Sequence, residues 1–410
     1  MRSKVAQRSK PVSNPSPYKI PIVDLRAQYA TIRDEVRRAI DEIAESQQFI
    51  LGPAVARFEE QMAAYLGCAH AVGVASGSDA LLLALTALDI GPGDAVITTP
   101  FTFFSTVSSI TRLGAKPLFI DIDPYNYLLS STAVKQFLGE RGIIRDGLTV
   151  DIKTGWPIKA LLPVHLFGQC CAMNEFITLA EKYKLLIVED VAQACGAQMK
   201  INRQTIFAGT IGAAGCYSFF PSKTLGGFGD GGLVAVHSTE LTDRLRSLRM
   251  HGESAKYHHD LTGINSRLDA IQAAVLSVKQ NYLDGWCGER IQRAGVYFRL
   301  FHQSGTLGNG VLAIPPAGTD RSHVFNSYVI RAERRDHLKQ YLAVNGVQSE
   351  IYYPLPLHLQ RCFAELGYRG GDFPQAELAA SQVLALPLYP ELTQDQQETV
   401  VDKICAFYRR

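Results

Sequence analysis

Lys223 stands within SFFPSKTLGGFGDGG, residues 218–232, between an aromatic run and five glycines. A lysine in such a setting has two chemistries open to it: it can grip a phosphate, or its amine can be the reacting group. A nucleotide-binding phosphate loop reads G-x-x-x-x-G-K-[ST], with glycines before the lysine so that backbone N–H groups curl around the phosphates. Here Tyr217, Ser218, Phe219, Phe220, Pro221 and Ser222 precede Lys223, and the glycines follow at 226, 227, 229, 231 and 232. That order removes the backbone cradle. What remains is an imine between the lysine amine and an aldehyde cofactor, for which pyridoxal phosphate is the usual candidate.

Such a cofactor needs a phosphate cradle, an acid near its pyridine nitrogen and a surface against its ring. Ser76, Gly77 and Ser78 lie between the strand-like AVGVAS and the apolar helix SDALLLALTAL, where helix-end N–H groups and hydroxyls can hold a phosphate dianion. Asp190 ends KLLIVED, and Phe103 follows another strand end. Each also has a plain structural reading: Ser78 as a helix cap, Asp190 as a turn charge, Phe103 as core. Their shared position at strand ends beside Lys223 is what joins them.

The elements that would position these residues are legible as apolar runs. AVGVAS, DAVITTP, KPLFIDID, KALLPVHLFG, KLLIVED, AAGCYSFF and GGLVAV alternate with helical segments and are mostly continuous, as in strands buried on both faces of a parallel sheet. The expected fold is α/β, a mainly parallel seven-stranded sheet with helices on both faces, whose ligands gather at the strands' carboxyl ends. Ile32, Val36, Ile40 and Ile43 predict one amphipathic helix, and Val55, Phe58, Met62 and Tyr65 a second. Residues 136–159 read as an excursion with turn signals at RDG and KTG, hence a hairpin beside the sheet. The expected division is a disordered basic arm at 1–19, a large cofactor-binding domain at 20–284 and a smaller C-terminal α+β domain at 285–410.

Composition excludes several function classes. Among 410 residues, 41 Lys plus Arg against 39 Asp plus Glu leave a formal charge of +2, with no basic block in the folded region to attract nucleic acid. Eight cysteines are scattered without paired CxxC spacing, so neither a metal site nor a disulfide framework is expected. The first nineteen residues lack an apolar core for a secretory signal, and no run approaches the roughly 20 apolar residues a membrane span requires. These features predict a soluble cytoplasmic protein.

The wording of the chain resembles the DegT/DnrJ/EryC1/StrS family of pyridoxal-phosphate sugar aminotransferases, of the cofactor's fold type I. The words run from PIVDLRAQY at residue 21 to the C-terminus and include FILGPAVARFEE, ASGSDALLLAL, GPGDAVITTPFTFFST, VEDVAQACGA, SFFPSKTLGGFGDGG, HGESAKYHHDLTGINSRLDAIQAAVL and YYPLPLHLQ. The resemblance implies that Lys223 forms the internal aldimine, Asp190 pairs with the pyridine nitrogen, Phe103 stacks on the ring and Gln193 approaches the ring hydroxyl. Gly77, Ser78 and Ser218 would hold the phosphate, joined by Asn265 from the partner of a homodimer. Tyr353, Tyr352, Arg267, His258 and His259 would lie near the sugar. It further implies L-glutamate as donor, cycling through pyridoxamine phosphate, and a nucleotide-linked 3-keto sugar as acceptor, such as UDP-2-acetamido-2-deoxy-3-keto-glucuronate. A dTDP-linked 3-keto-6-deoxyhexose, a 4-keto sugar nucleotide and a non-catalytic regulatory or binding role are the alternatives; retention of Lys223 disfavours the related dehydratases that carry histidine there. Two departures stand out: SGSDAL where relatives have SGTAAL or SGTDAL, and YYP where HYP is common, so that Tyr352 takes the place of a histidine.

Overall fold

The computed structural model describes residues 18–307, 310–315 and 322–409, so all but the last two residues of the basic arm at 1–19 lie outside the described residues. Each of the seven apolar runs forms a strand. In chain order the strands of the large sheet and its satellites are β1 (His70–Val74), β2 (Ala95–Thr98), β3 (Lys116–Phe119), β4 (Gly142–Arg145), β5 (Leu148–Asp151), β6 (Pro157–Leu161), β7 (Leu186–Asp190), β8 (Gln198–Ile201), β9 (Gln204–Phe207), β10 (Ala214–Ser218) and β11 (Gly232–Val236). The principal path runs β1-β11-β10-β7-β6-β2-β3. From β10 to β3 every neighbour is parallel.

β11 runs antiparallel to both β10 and β1. The reason is local: residues 219–231 contain no helix, so the chain turns straight back, whereas a parallel return needs a crossover. That same loop carries Lys223 and hangs it at the carboxyl end of β10. The excursion forms the hairpin β4–β5, which joins the sheet antiparallel to β6 through Thr149–Ile158 and Val150–Pro157. A further hairpin, β8–β9, stands apart from the sheet.

Helices cover the sheet. α1 (Leu25–Ser46) starts where the Asp24 carboxylate accepts from the Arg26 and Ala27 N–H groups, and buries Ile32, Val36 and Ile43. α2 (Gly52–Leu66) buries Val55, Phe58 and Met62 and stops at Gly67 in the left-handed region. Tyr65 stays half-buried because its hydroxyl reaches the Asp284 carboxylate at 2.7 Å. α3 (Gly77–Ala87) follows β1 and α4 (Phe104–Arg112) follows β2, which brings both N-termini to the edge of the sheet where β7 and β10 end. The C-terminal part packs helices Leu283–Gln303, Arg335–Val344 and Gln394–Tyr408 against a three-stranded antiparallel sheet with its own apolar core. Ile20 belongs to this core: it bridges to Val347 in parallel and accepts from the Gln348 N–H at 2.9 Å. The first described residues therefore lie on the C-terminal part, and the chain crosses to the large sheet at α1.

Candidate active site

A cavity of about 440 Å³ opens at the carboxyl ends of β7 and β10. Its wall contains Gly77, Ser78, Phe103, Asp190, Gln193, Ser218, Lys223, Tyr352 and Tyr353, nine of the thirteen residues expected from the sequence.

Asp190 sits in the cavity at 4% exposure because β7 ends there, between the parallel neighbours that bury it. Its Oδ2 accepts from the Thr106 hydroxyl at 2.8 Å and its Oδ1 from the Ala192 N–H at 3.1 Å. Burial pushes its carboxyl above the usual range, while those two donors and the charge of Lys223 work the other way. Lys223 is pushed down to about 8, chiefly by burial, with Asp190 opposing. A lysine at that value has about a tenth of its amine free at pH 7, far more than an ordinary lysine, and imine formation and proton transfer both require the free amine.

Gln193 acts in two directions. Its Oε1 accepts from the Phe167 N–H at 2.7 Å and its Nε2 donates to the Tyr353 hydroxyl at 2.8 Å. The Tyr353 ring lies 6.0 Å from that of Phe103, and burial raises its phenol well above the ordinary value. Phe103 itself is 55% exposed, an aromatic face left open to the cavity.

The cradle forms where α3 begins. The Ser76 hydroxyl caps the helix by accepting from the Asp79 N–H at 3.1 Å, which leaves Ser78 to pair with the Ser105 hydroxyl at 2.5 Å. Gly77 is pressed against β10: a Cβ there would lie 2.5 Å from the Ser218 Cβ. Only glycine lets the first turn approach Ser218 so closely. The residues present fit pyridoxal phosphate: an amine of lowered pKa, a buried carboxylate, an open aromatic face, and hydroxyls around a helix N-terminus.

The other four expected residues lie elsewhere. His258 and His259 form a two-residue strand paired with Glu253–Ala255, both exposed. Asn265 is exposed and bridges to Met250. Arg267 is half-buried, its guanidinium 3.9 Å from the Met250 sulfur, in a shallow depression with Tyr257 and His259. Ser266, between Asn265 and Arg267, ties this segment to the cradle by accepting from the Ala75 N–H at 3.2 Å and donating to Asp79 at 2.8 Å.

Sequence reasoning missed Thr106, Ser105, Arg290 and Asn326. Thr106 and Ser105 had a signal, the hydroxyl-rich TTPFTFFST after a strand end. Arg290 and Asn326 come from the C-terminal part and had none; the Arg290 Nη1 donates to the carbonyls of Phe325, Asn326 and Leu388.

The model of the DegT/DnrJ/EryC1/StrS aminotransferase family matches residues 30–405. The chain belongs to this family. It is 44% identical, over 95% of its length and 99% of the other, to a pleiotropic regulatory protein of Geobacillus stearothermophilus. To the UDP-N-acetyl-3-dehydro-α-D-glucosamine 3-aminotransferase of Acidithiobacillus ferrooxidans it is 41% identical, over 92% of this chain and 95% of that one. Among solved structures, a DegT/DnrJ/EryC1/StrS aminotransferase from Brucella abortus superposes with a TM-score of 0.86 at 35% identity, covering 95% of this chain and 99% of that one. NtdA of Bacillus subtilis, solved with pyridoxamine phosphate bound, superposes at 0.82 and 26% identity, over 96% and 86% of the two chains. The chain shares the fold of these aminotransferases and is an aminotransferase of that family.

Proposed function

We propose that this aminotransferase moves the amino group of L-glutamate to C3 of a nucleotide-linked keto sugar, working as a cytoplasmic homodimer with pyridoxal phosphate at Lys223. The observation that carries this reading is the meeting of Lys223 and the buried Asp190 carboxylate on one cavity wall beside the glycine cradle. Similarity to a 3-aminotransferase acting on a UDP-linked 3-keto sugar supports the acceptor class.

When bound, pyridoxal phosphate supplies an electron sink and carries the amino group between the two substrates. This chain's residues supply the rest. Lys223 Nζ, as the free amine, takes the proton from the donor's α-carbon, and in the second half it returns a proton to the sugar's C3. Asp190, whose carboxylate accepts from the Thr106 hydroxyl and the Ala192 N–H, would hold a positive charge on the ring nitrogen. Phe103 would pack on the ring, Gln193 with Tyr353 would orient its hydroxyl edge, and Gly77, Ser78 and Ser218 would receive the phosphate with Asn265 of a second copy. The net change is glutamate and 3-keto sugar to 2-oxoglutarate and 3-amino sugar.

A uronate acceptor such as UDP-2-acetamido-2-deoxy-3-keto-glucuronate asks for a cation. The cavity wall has two, Lys223 and Arg290, and three backbone carbonyls already engage Arg290. The uronate's partner would then come from Arg267, His258 or His259 of a second copy. The test is to supply glutamate with UDP- and dTDP-linked 3-keto and 4-keto sugars and analyse products by mass spectrometry and NMR. A 3-amino product is expected; a 4-amino product overturns the ring position, and no amine transfer to any of them overturns the aminotransferase reading for sugars.

A further inference from the structure

Behind the loop that carries Lys223 lies a buried lysine for which the reaction has no use. Lys279, on helix Ala270–Gln280, is 2% exposed. Its ammonium donates to the Gly226 carbonyl and faces the rings of Phe228 and Trp286, 5.7 and 5.8 Å from their centroids. Among the described residues no carboxylate forms an ion pair with it. A buried ammonium without a carboxylate is costly, and burial accordingly pushes Lys279 down to about 8. A methionine would fill the same space without that cost, so packing alone does not account for the charge.

The geometry around Gly226 supplies an account. The loop coils tightly: the Lys223 N–H donates to the Phe220 carbonyl at 2.8 Å and the Gly227 N–H to the Phe219 carbonyl at 2.7 Å. At Gly226 a Cβ would strike the Pro221 carbonyl, so the coil closes only with glycine there. The same helix holds the coil a second time, where Gln272 Oε1 accepts from the Phe228 N–H at 2.8 Å. Two residues, Thr224 and Leu225, lie between Lys223 and the glycine whose carbonyl Lys279 grips.

We propose that Lys279 is a positioning residue for Lys223: by fixing the Gly226 carbonyl it holds the coil of residues 219–228 and sets where the Lys223 amine lies in the cavity. This rests on Lys223 being the cofactor-bearing lysine.

The test compares wild type with K279M, K279Q and K279R, all full-length and reconstituted with pyridoxal phosphate. Four quantities are read: thermal midpoint of the apoprotein, pyridoxal phosphate affinity, the pH midpoint of the visible band, and the rate at which glutamate bleaches it. In K279M the apoprotein should melt no lower than wild type, while affinity falls about tenfold and the band's pH midpoint moves. K279R should restore most of the loss, and K279Q, a donor without charge, should fall between. A K279M protein with wild-type affinity and band midpoint overturns the proposal. Should K279M fail to fold, K279Q decides by the same criteria, and loss of folding in both overturns it in favour of a packing role. Absence of a visible band in the wild type would fail the aminotransferase reading instead, a separate outcome.

Discussion

Asp190 and Gln193 are buried and Tyr353 half-buried, all three hydrogen-bonded within their own chain, whereas His258, His259 and Asn265 lie exposed and outside the cavity wall. Both groups touch the same scaffold, since Ser266 bonds the strand-to-helix turn that forms the cradle. Burial tunes the first group's Asp190 and the neighbouring Lys223 within a single chain: it lowers the Lys223 amine and raises the Asp190 carboxyl. The second group would act across a dimer, on the site of a second copy. The difference separates residues whose effect should be felt within one subunit from residues whose effect should depend on two.

The sharpest way to break that division is at Lys223. K223A should lower amine transfer by about 10⁴-fold and erase the visible cofactor band, measured by product formation and absorbance. Next is D190N, which keeps shape and removes charge. Turnover should fall about 100-fold, while the apoprotein melts at or above the wild-type temperature. The sign follows from Asp190 having a folded-state pKa above its unfolded one: near neutral pH its ionised form is penalised in the fold, and asparagine escapes that penalty.

A smaller effect tests the second group. R267A should weaken turnover about tenfold. Mixing it with K223A after dissociation and reassociation should bring back activity toward about a quarter of wild type, because half of the dimers are hybrids with one intact site. Activity no greater than the sum of the two variants would place Arg267 outside any shared site. The smallest effect is one of pH. The rate at which the apoprotein captures pyridoxal phosphate should rise through about 8 and then level, since the free amine of Lys223 grows over that range. A rise continuing toward the ordinary lysine value would show an amine that burial does not perturb.

The sheet was legible because its strands are buried on both faces and therefore read as unbroken apolar runs, and RDG and KTG marked the excursion's hairpin. The hairpin β8–β9 was not, since QMKI and QTIF lie outside the sheet and mix polar with apolar residues. Within the site, glycines after Lys223 and an acid at a strand end pointed to the chemistry. Thr106 escaped because a threonine at a helix start reads as an ordinary cap, and its bond to Asp190 spans 84 residues. Arg290 and Asn326 escaped for the same reason on a larger scale: their place at the cavity is set by how the C-terminal part packs on the sheet. Local patterning reaches side chains near a strand end and stops where two distant segments must meet.

The most direct test is an absorbance titration of the wild-type protein, loaded with pyridoxal phosphate, with L-glutamate. If Lys223 and Asp190 form an aminotransferase centre, the visible band bleaches, the pyridoxamine phosphate band rises in its place, and 2-oxoglutarate appears in equal amount. A protein that forms no visible band, or whose band is indifferent to glutamate, contradicts the account.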